Sequence, residues 1–118
     1  DLTHASLRRW LDIVYAFAST RTLAHELQPV GPMGDAAIGD VFIHPGAPGH
    51  AVIIIDLAVD PADDRTLALL AQSSTPARDV HVLRNTVEPG LGAWFALAAG
   101  RPLVTPGRVF APEELRRF

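Results

Sequence analysis

Between Pro48-Gly49-His50 and Asp60-Pro61 the sequence reads Ala51-Val52-Ile53-Ile54-Ile55-Asp56-Leu57, six apolar side chains and one acid. A run this short, rich in β-branched residues and bounded by glycine and proline, is read as a strand. Because almost every position is apolar, it is expected to be a central strand covered on both faces. The rest of the chain must supply the strands beside it and the layers above and below it.

Three further stretches have strand character, at about 40–44, 66–73 and 79–84, alongside 50–58 itself. Asp60-Pro61-Ala62-Asp63-Asp64 forms a polar hairpin loop, and Ser73-Ser74-Thr75-Pro76 turns the chain into the fourth strand. Upstream, Leu7, Trp10, Leu11, Val14, Tyr15 and Ala18 recur at offsets of three and four, one apolar stripe on a helix over Ser6–Ala18. A shorter helix is expected over Thr22–Leu27, closed by Pro29. Both are read as helices that pack on the sheet. After Pro89, Gly90 and Gly92 come Trp94-Phe95, expected to be a buried aromatic pair. Pro112-Glu113-Glu114 then opens a short C-terminal helix.

The expected fold is therefore α+β: N-terminal helices on a mainly antiparallel sheet of four to five strands. It is a single domain over 1–118, helical over 1–29, sheet over 38–84 and irregular over 85–118. The chain begins at Asp1, almost at once inside a helical pattern, and is read as the C-terminal part of a longer domain. Any export signal would lie upstream.

Several functions are excluded by composition. The chain has no cysteine, so it holds no disulfide, thiolate zinc site or thiol nucleophile of its own. It has no lysine, which rules out a P-loop. A net charge of −3 gives no reason to expect nucleic acid as a partner. No apolar run approaches the roughly 20 residues that span a bilayer, and no cofactor motif is present.

The chemistry concentrates at the entry to the apolar strand. His50 follows Gly49 where the chain enters the sheet, a place where a scaffold presents a side chain to a cleft, and it can serve there as a general base. It can equally be a half-buried histidine satisfying local backbone groups. If the connection from 56 to 66 is a simple hairpin, Gln72 falls near residues 50–52, where its carbonyl can hold the imidazole tautomer. It can also simply satisfy a sheet edge. Asp56 lies about 20 Å along the strand from His50 and is too far to orient it. His44, His50, His81 and Asp56 have no recognised ligand spacing, and no metal site is expected. Ser6, Ser73 and Ser74 lack a nucleophile-elbow signature.

Gly39-Asp40-Val41-Phe42-Ile43, Pro48-Gly49-His50-Ala51-Val52-Ile53, Leu70-Ala71-Gln72-Ser73 with Pro76-Ala77, and Val80-His81-Val82-Leu83 resemble, in that order, the bacterial domain-of-unknown-function family 4846. Thr105-Pro106 and Arg117-Phe118 are similar to that family's ending. The resemblance implies a longer protein with an upstream cysteine in a helical segment, exported or lipid-anchored, and so a cell-envelope or periplasmic location. More distantly, the Gly-Asp then Gly-His layout is similar to NlpC-like and CHAP cell-wall cysteine hydrolases. That implies a papain-like half-domain with His50 as base, Gln72 as orienter and no nucleophile in this chain. Two functions follow: the base-bearing part of a thiol-dependent peptide or amide hydrolase acting on cell-wall material, or a non-catalytic glycan- or peptide-binding module. For the module the groove would involve His44, Pro45, Gly46, Pro48 and Gly49, with Ser73 nearby and Trp94 or Trp10 as a stacking wall.

Overall fold

The computed structural model describes residues 2–73 and 78–118. The expected turn at Ser73–Pro76 falls, from residue 74 onward, outside them. Two helices come first, α1 (His4–Phe17) and α2 (Thr20–Glu26). Thr3 caps α1 through its hydroxyl on the Ser6 amide, and Ser19 and Thr22 cap α2 reciprocally, which is why α2 starts two residues earlier than its apolar pattern suggests. The strands follow as β1 (Gln28–Pro29), β2 (Val41–His44), β3 (His50–Val59), β4 (Thr66–Gln72), β5 (His81–Val82), β6 (Trp94–Leu97), β7 (Leu103–Val104), β8 (Val109–Phe110) and β9 (Leu115–Arg117).

Among the described residues, seven of these form one antiparallel sheet in the order β1-β9-β2-β3-β4-β5, with β6 beside β5 along the free edge of β4. β7 and β8 make a separate hairpin. The long hairpin β3–β4 is closed by the Asp60 amide on the Arg65 carbonyl, and Arg65 ties the loop down by ion pairs to Asp60 and Glu88. The polar loop expected at 60–64 is thus a salt-bridged turn. Behind β6, Asn85 is buried and bonds the Trp94 carbonyl and the Val87 and Glu88 amides, so one amide side chain satisfies the connecting loop.

One face of the sheet carries the core. Phe42, Val52, Ile54, Ala68 and Leu70 point into it and meet Leu103, Phe110 and Leu115 from the chain's last third. Burial alternates from Val52 to Ile55, up to a bulge between Ile54 and Asp56: Val52 and Ile54 are sealed, whereas Ile53 and Ile55 are 37% and 39% exposed. The apolar run is therefore central in the sheet but covered on one face, contrary to its composition. The strand covered on both faces is β2, where Val41, Phe42 and Ile43 are all buried and α2 lies against it.

Three other expectations are corrected. α1 has a capped start and an apolar stripe, but no residue of it is buried; Trp10 is 59% exposed. Amphipathic periodicity says that a helix has an apolar face, not what covers it. Trp94 and Phe95 are not a buried pair, because successive residues of β6 face opposite ways and Phe95 alone is sealed. The C-terminal helix is one 3-10 turn, Pro112–Glu114, from which the chain extends into β9. Glu114 closes that turn on the Ala111 amide, and burying Leu115 against β2 decides the rest.

Asp40 anchors the start of β2. Gly39, in the left-handed region at φ 94°, turns the chain so that the Asp40 carboxylate accepts from the Ala37 amide and from two nitrogens of Arg117 at 2.7 Å each. Burial acts to raise the Asp40 pKa, but the hydrogen bonds from Arg117 and Ala37 together with the Arg117 charge outweigh it and hold the group below its usual value. A carboxylate with a lower pKa folded than unfolded contributes stability that is present above the unfolded pKa and fades as pH falls through the folded one. The fold is therefore expected to weaken on acidification below about pH 4. Asp40→Asn should flatten that part of the profile, as read by urea midpoints at a series of pH values; an unchanged slope would show that other carboxylates set it.

Candidate functional site

The core face ends in a row of polar side chains. β2 and β3 pair His44 with His50, and β4 and β5 pair Gln72 with His81. The pairing of Ile53 with Ala71 then brings Gln72 beside the start of β3. There the His50 Nε2–H donates to Gln72 Oε1 at 2.5 Å. The ring stacks on Phe110, centroids 6.0 Å apart and planes 24° apart. Since Phe110 is fully buried and also meets Phe42, the imidazole is held by an amide at one edge and a core ring on one face. With Nε2 carrying the proton, Nδ1 keeps its lone pair, and no described residue hydrogen-bonds it.

His50 is half-buried and opens onto a cleft of about 740 Å³. Gly49, Gln72 and Ser73 line it on the sheet side, Thr20 from the first turn of α2, and Gly107 and Arg108 from the tip of the β7–β8 hairpin. Gly49 is required by close approach: a Cβ there would collide with the Thr20 side chain and lie 3.0 Å from the His44 carbonyl oxygen. No acidic residue lines this cleft among the described residues.

The structure thus gathers His50, Gln72, Gly49 and Ser73, and leaves His44, Trp94 and Trp10 elsewhere. His44 turns to Glu114, Nδ1 to Oε2 at 2.8 Å, and does not line the cleft. Trp94 is on β6 against Leu69, and Trp10 is on α1; neither forms a wall. The Ser73 hydroxyl donates to the Arg78 carbonyl. His81 is exposed with Nδ1 on the Asp79 carbonyl, and the Asp56 carboxylate accepts from the Leu57 amide at a bulge in β3. Among the described residues no three His, Asp or Glu side chains converge.

Two cleft residues were not legible in the sequence. Thr20 was hidden because the apolar pattern starts α2 at Thr22, although the Ser19-x-x-Thr22 spacing is a capping signal. Arg108 was hidden because Thr105-Pro106-Gly107-Arg108 signals a tight turn, and nothing local says that the turn reaches back to β3. No helix among the described residues is long and apolar enough to cross a membrane.

Compared with known proteins, the chain matches a family model described as "Domain of unknown function (4846)" over residues 1–117. No curated protein and no solved structure matches it.

Proposed function

The chain belongs to that family, domain of unknown function 4846, and from this premise we propose that the cleft is the base-bearing side of a hydrolase site for peptide or amide bonds, with cell-wall peptides as substrate. The observation that supports the reading is the Gln72–His50 bond: with Gln72 Oε1 accepting, Nε2 carries the proton and Nδ1 is left without a bond, on a ring that lines a cleft large enough for a peptide. A neutral imidazole fixed in this way can take a proton from an attacking group and return it to a leaving amine. Gln72 and Phe110 hold the ring without touching substrate; they are positioning residues.

The nucleophile is a thiol that these 118 residues do not contain. The Thr20 hydroxyl lines the same cleft and has no protein partner among the described residues. A threonine hydroxyl away from a chain terminus is a poor nucleophile without a base at hydrogen-bond distance, and no such bond to His50 exists here. Its part is to donate to a substrate carbonyl. A relation to NlpC-like or papain-like hydrolases is part of this proposal and rests on the His50–Gln72 arrangement.

Turnover of peptidoglycan peptides by the full-length protein, followed by mass spectrometry, tests the reading. Wild type should release new amine and carboxylate ends, His50→Ala should abolish the release, and alkylation with iodoacetamide should do the same. Peptide binding that is unchanged in His50→Ala, with no cleavage by wild type, would make the cleft a binding module instead. Cleavage insensitive to alkylation would remove the thiol.

A further inference from the structure

We propose that Arg108 is a carboxylate-binding residue, so that the ligand of the cleft is a peptide carrying an acidic group; this rests on the reading of the cleft as the place where substrate lies. The argument begins with where the cations go. Arg65 is consumed by Asp60 and Glu88, Arg117 by Asp40, and Arg116 by the Ala24 and Glu113 carbonyls. Arg108, the one arginine lining the cleft among the described residues, is half-buried and its guanidinium bonds no described residue. In a chain with 13 acids against 10 bases, an arginine near the interior has carboxylates available and here uses none.

Its backbone is held firmly. The Thr105 amide and hydroxyl both donate to the Arg108 carbonyl, at 2.8 and 2.7 Å, and the Arg108 amide returns to the Thr105 carbonyl. Leu103 and Phe110, on either side of that turn, are sealed in the core, so the hairpin tip is fixed relative to His50, whose ring rests on Phe110. A planar guanidinium on a fixed hairpin suits two-pronged binding of a carboxylate, which lysine cannot reproduce. The surroundings suit an anion: the cleft offers the Thr20 hydroxyl as a donor, and no acid faces it among the described residues.

Calorimetric titration of the full-length His50→Ala protein, which cannot turn over ligand, isolates binding. The probes are the dipeptide alanyl-glutamate, alanyl-glutamine, and the C-terminal amide of each. Alanyl-glutamate, together with whichever single-carboxylate probe keeps the group that is read, should bind and lose about 10- to 100-fold in affinity on Arg108→Met, with Arg108→Lys recovering only part. The doubly neutral alanyl-glutamine amide should bind weakly and be indifferent to residue 108. Whether the side-chain or the terminal carboxylate is read follows from which amide abolishes binding. Circular dichroism of Arg108→Met, which keeps the aliphatic stem, checks that the hairpin is intact. Equal binding of charged and neutral probes, no binding of any charged probe, or no loss on Arg108→Met would each overturn the assignment. The hydrolase reading fails separately: Arg108-dependent binding without wild-type cleavage removes turnover and leaves the carboxylate site.

Discussion

Phe110→Ala is expected to lower the free energy of unfolding by about 4 kcal/mol and to disable the site with it. The ring is fully buried, meets Phe42 at 5.9 Å between centroids and belongs to the cluster that joins the last third of the chain to β3 and β4. Truncation removes its transfer free energy and leaves a void that a β8 strand of two residues cannot collapse to fill. The same ring is the surface on which His50 stacks. Phe110→Leu separates the two effects: it fills most of the volume, should cost less than half as much in urea unfolding, and still removes the flat support of the imidazole. An active, fully stable Phe110→Leu protein would show that the stacking contact does not position the ring.

Gly49→Ala should destabilise by about 2–3 kcal/mol, although the substitution reduces the entropy of the unfolded chain. That entropic gain is at most about 1 kcal/mol. Against it stands a new methyl carbon placed inside the Thr20 hydroxyl, 2.8 Å from Thr20 Cβ and 3.0 Å from the His44 carbonyl. Turning the threonine side chain relieves the first clash and neither of the others. α2 must therefore move off the β2–β3 turn, or the entry of β3 must shift and carry His50 with it. In a Thr20→Gly background most of the obstruction is gone, and the same substitution should cost at least about 1 kcal/mol less. Equal costs in both backgrounds would mean that α2 does not press on Gly49.

How far the sequence revealed this arrangement depends on how local each signal is. Strands β2, β3 and β4 lie where composition and turn residues put them, because each is a contiguous run bounded by glycine, proline or acids. Their hairpin connectivity made the neighbourhood of His50 and Gln72 accessible as well, since a tight antiparallel return leaves few registers. What failed was non-local. β9 lies beside β2 although its pairs Val41–Arg116 and Phe42–Leu115 are 75 and 73 residues apart along the chain, and nothing in Leu115-Arg116-Arg117 looks like an interior strand. Its short length and two arginines are tolerated because Arg117 serves Asp40 and Arg116 serves the Ala24 carbonyl.

The two-sided burial assigned to β3 failed for a related reason. Ile53 and Ile55 are as hydrophobic as Val52 and Ile54, so composition cannot tell which face receives a second layer. That was decided by α2, which lies over β2 and stops short of the outward side chains of β3. α1 shows the same gap between pattern and placement, with Leu7, Trp10, Ile13, Tyr15 and Phe17 all exposed. The cleft depended equally on tertiary closure: one wall is the first turn of a helix and another a hairpin tip, and only the rest comes from the strands that carry the motifs and their turns.

Long-range proton–nitrogen NMR correlation of the His50 ring reports directly on which nitrogen bears hydrogen. In the neutral wild-type imidazole it should find Nε2 protonated and Nδ1 bare, and Gln72→Ala should let the two tautomers mix. A proton resident on Nδ1, or a spectrum that does not notice the loss of Gln72, would contradict the account.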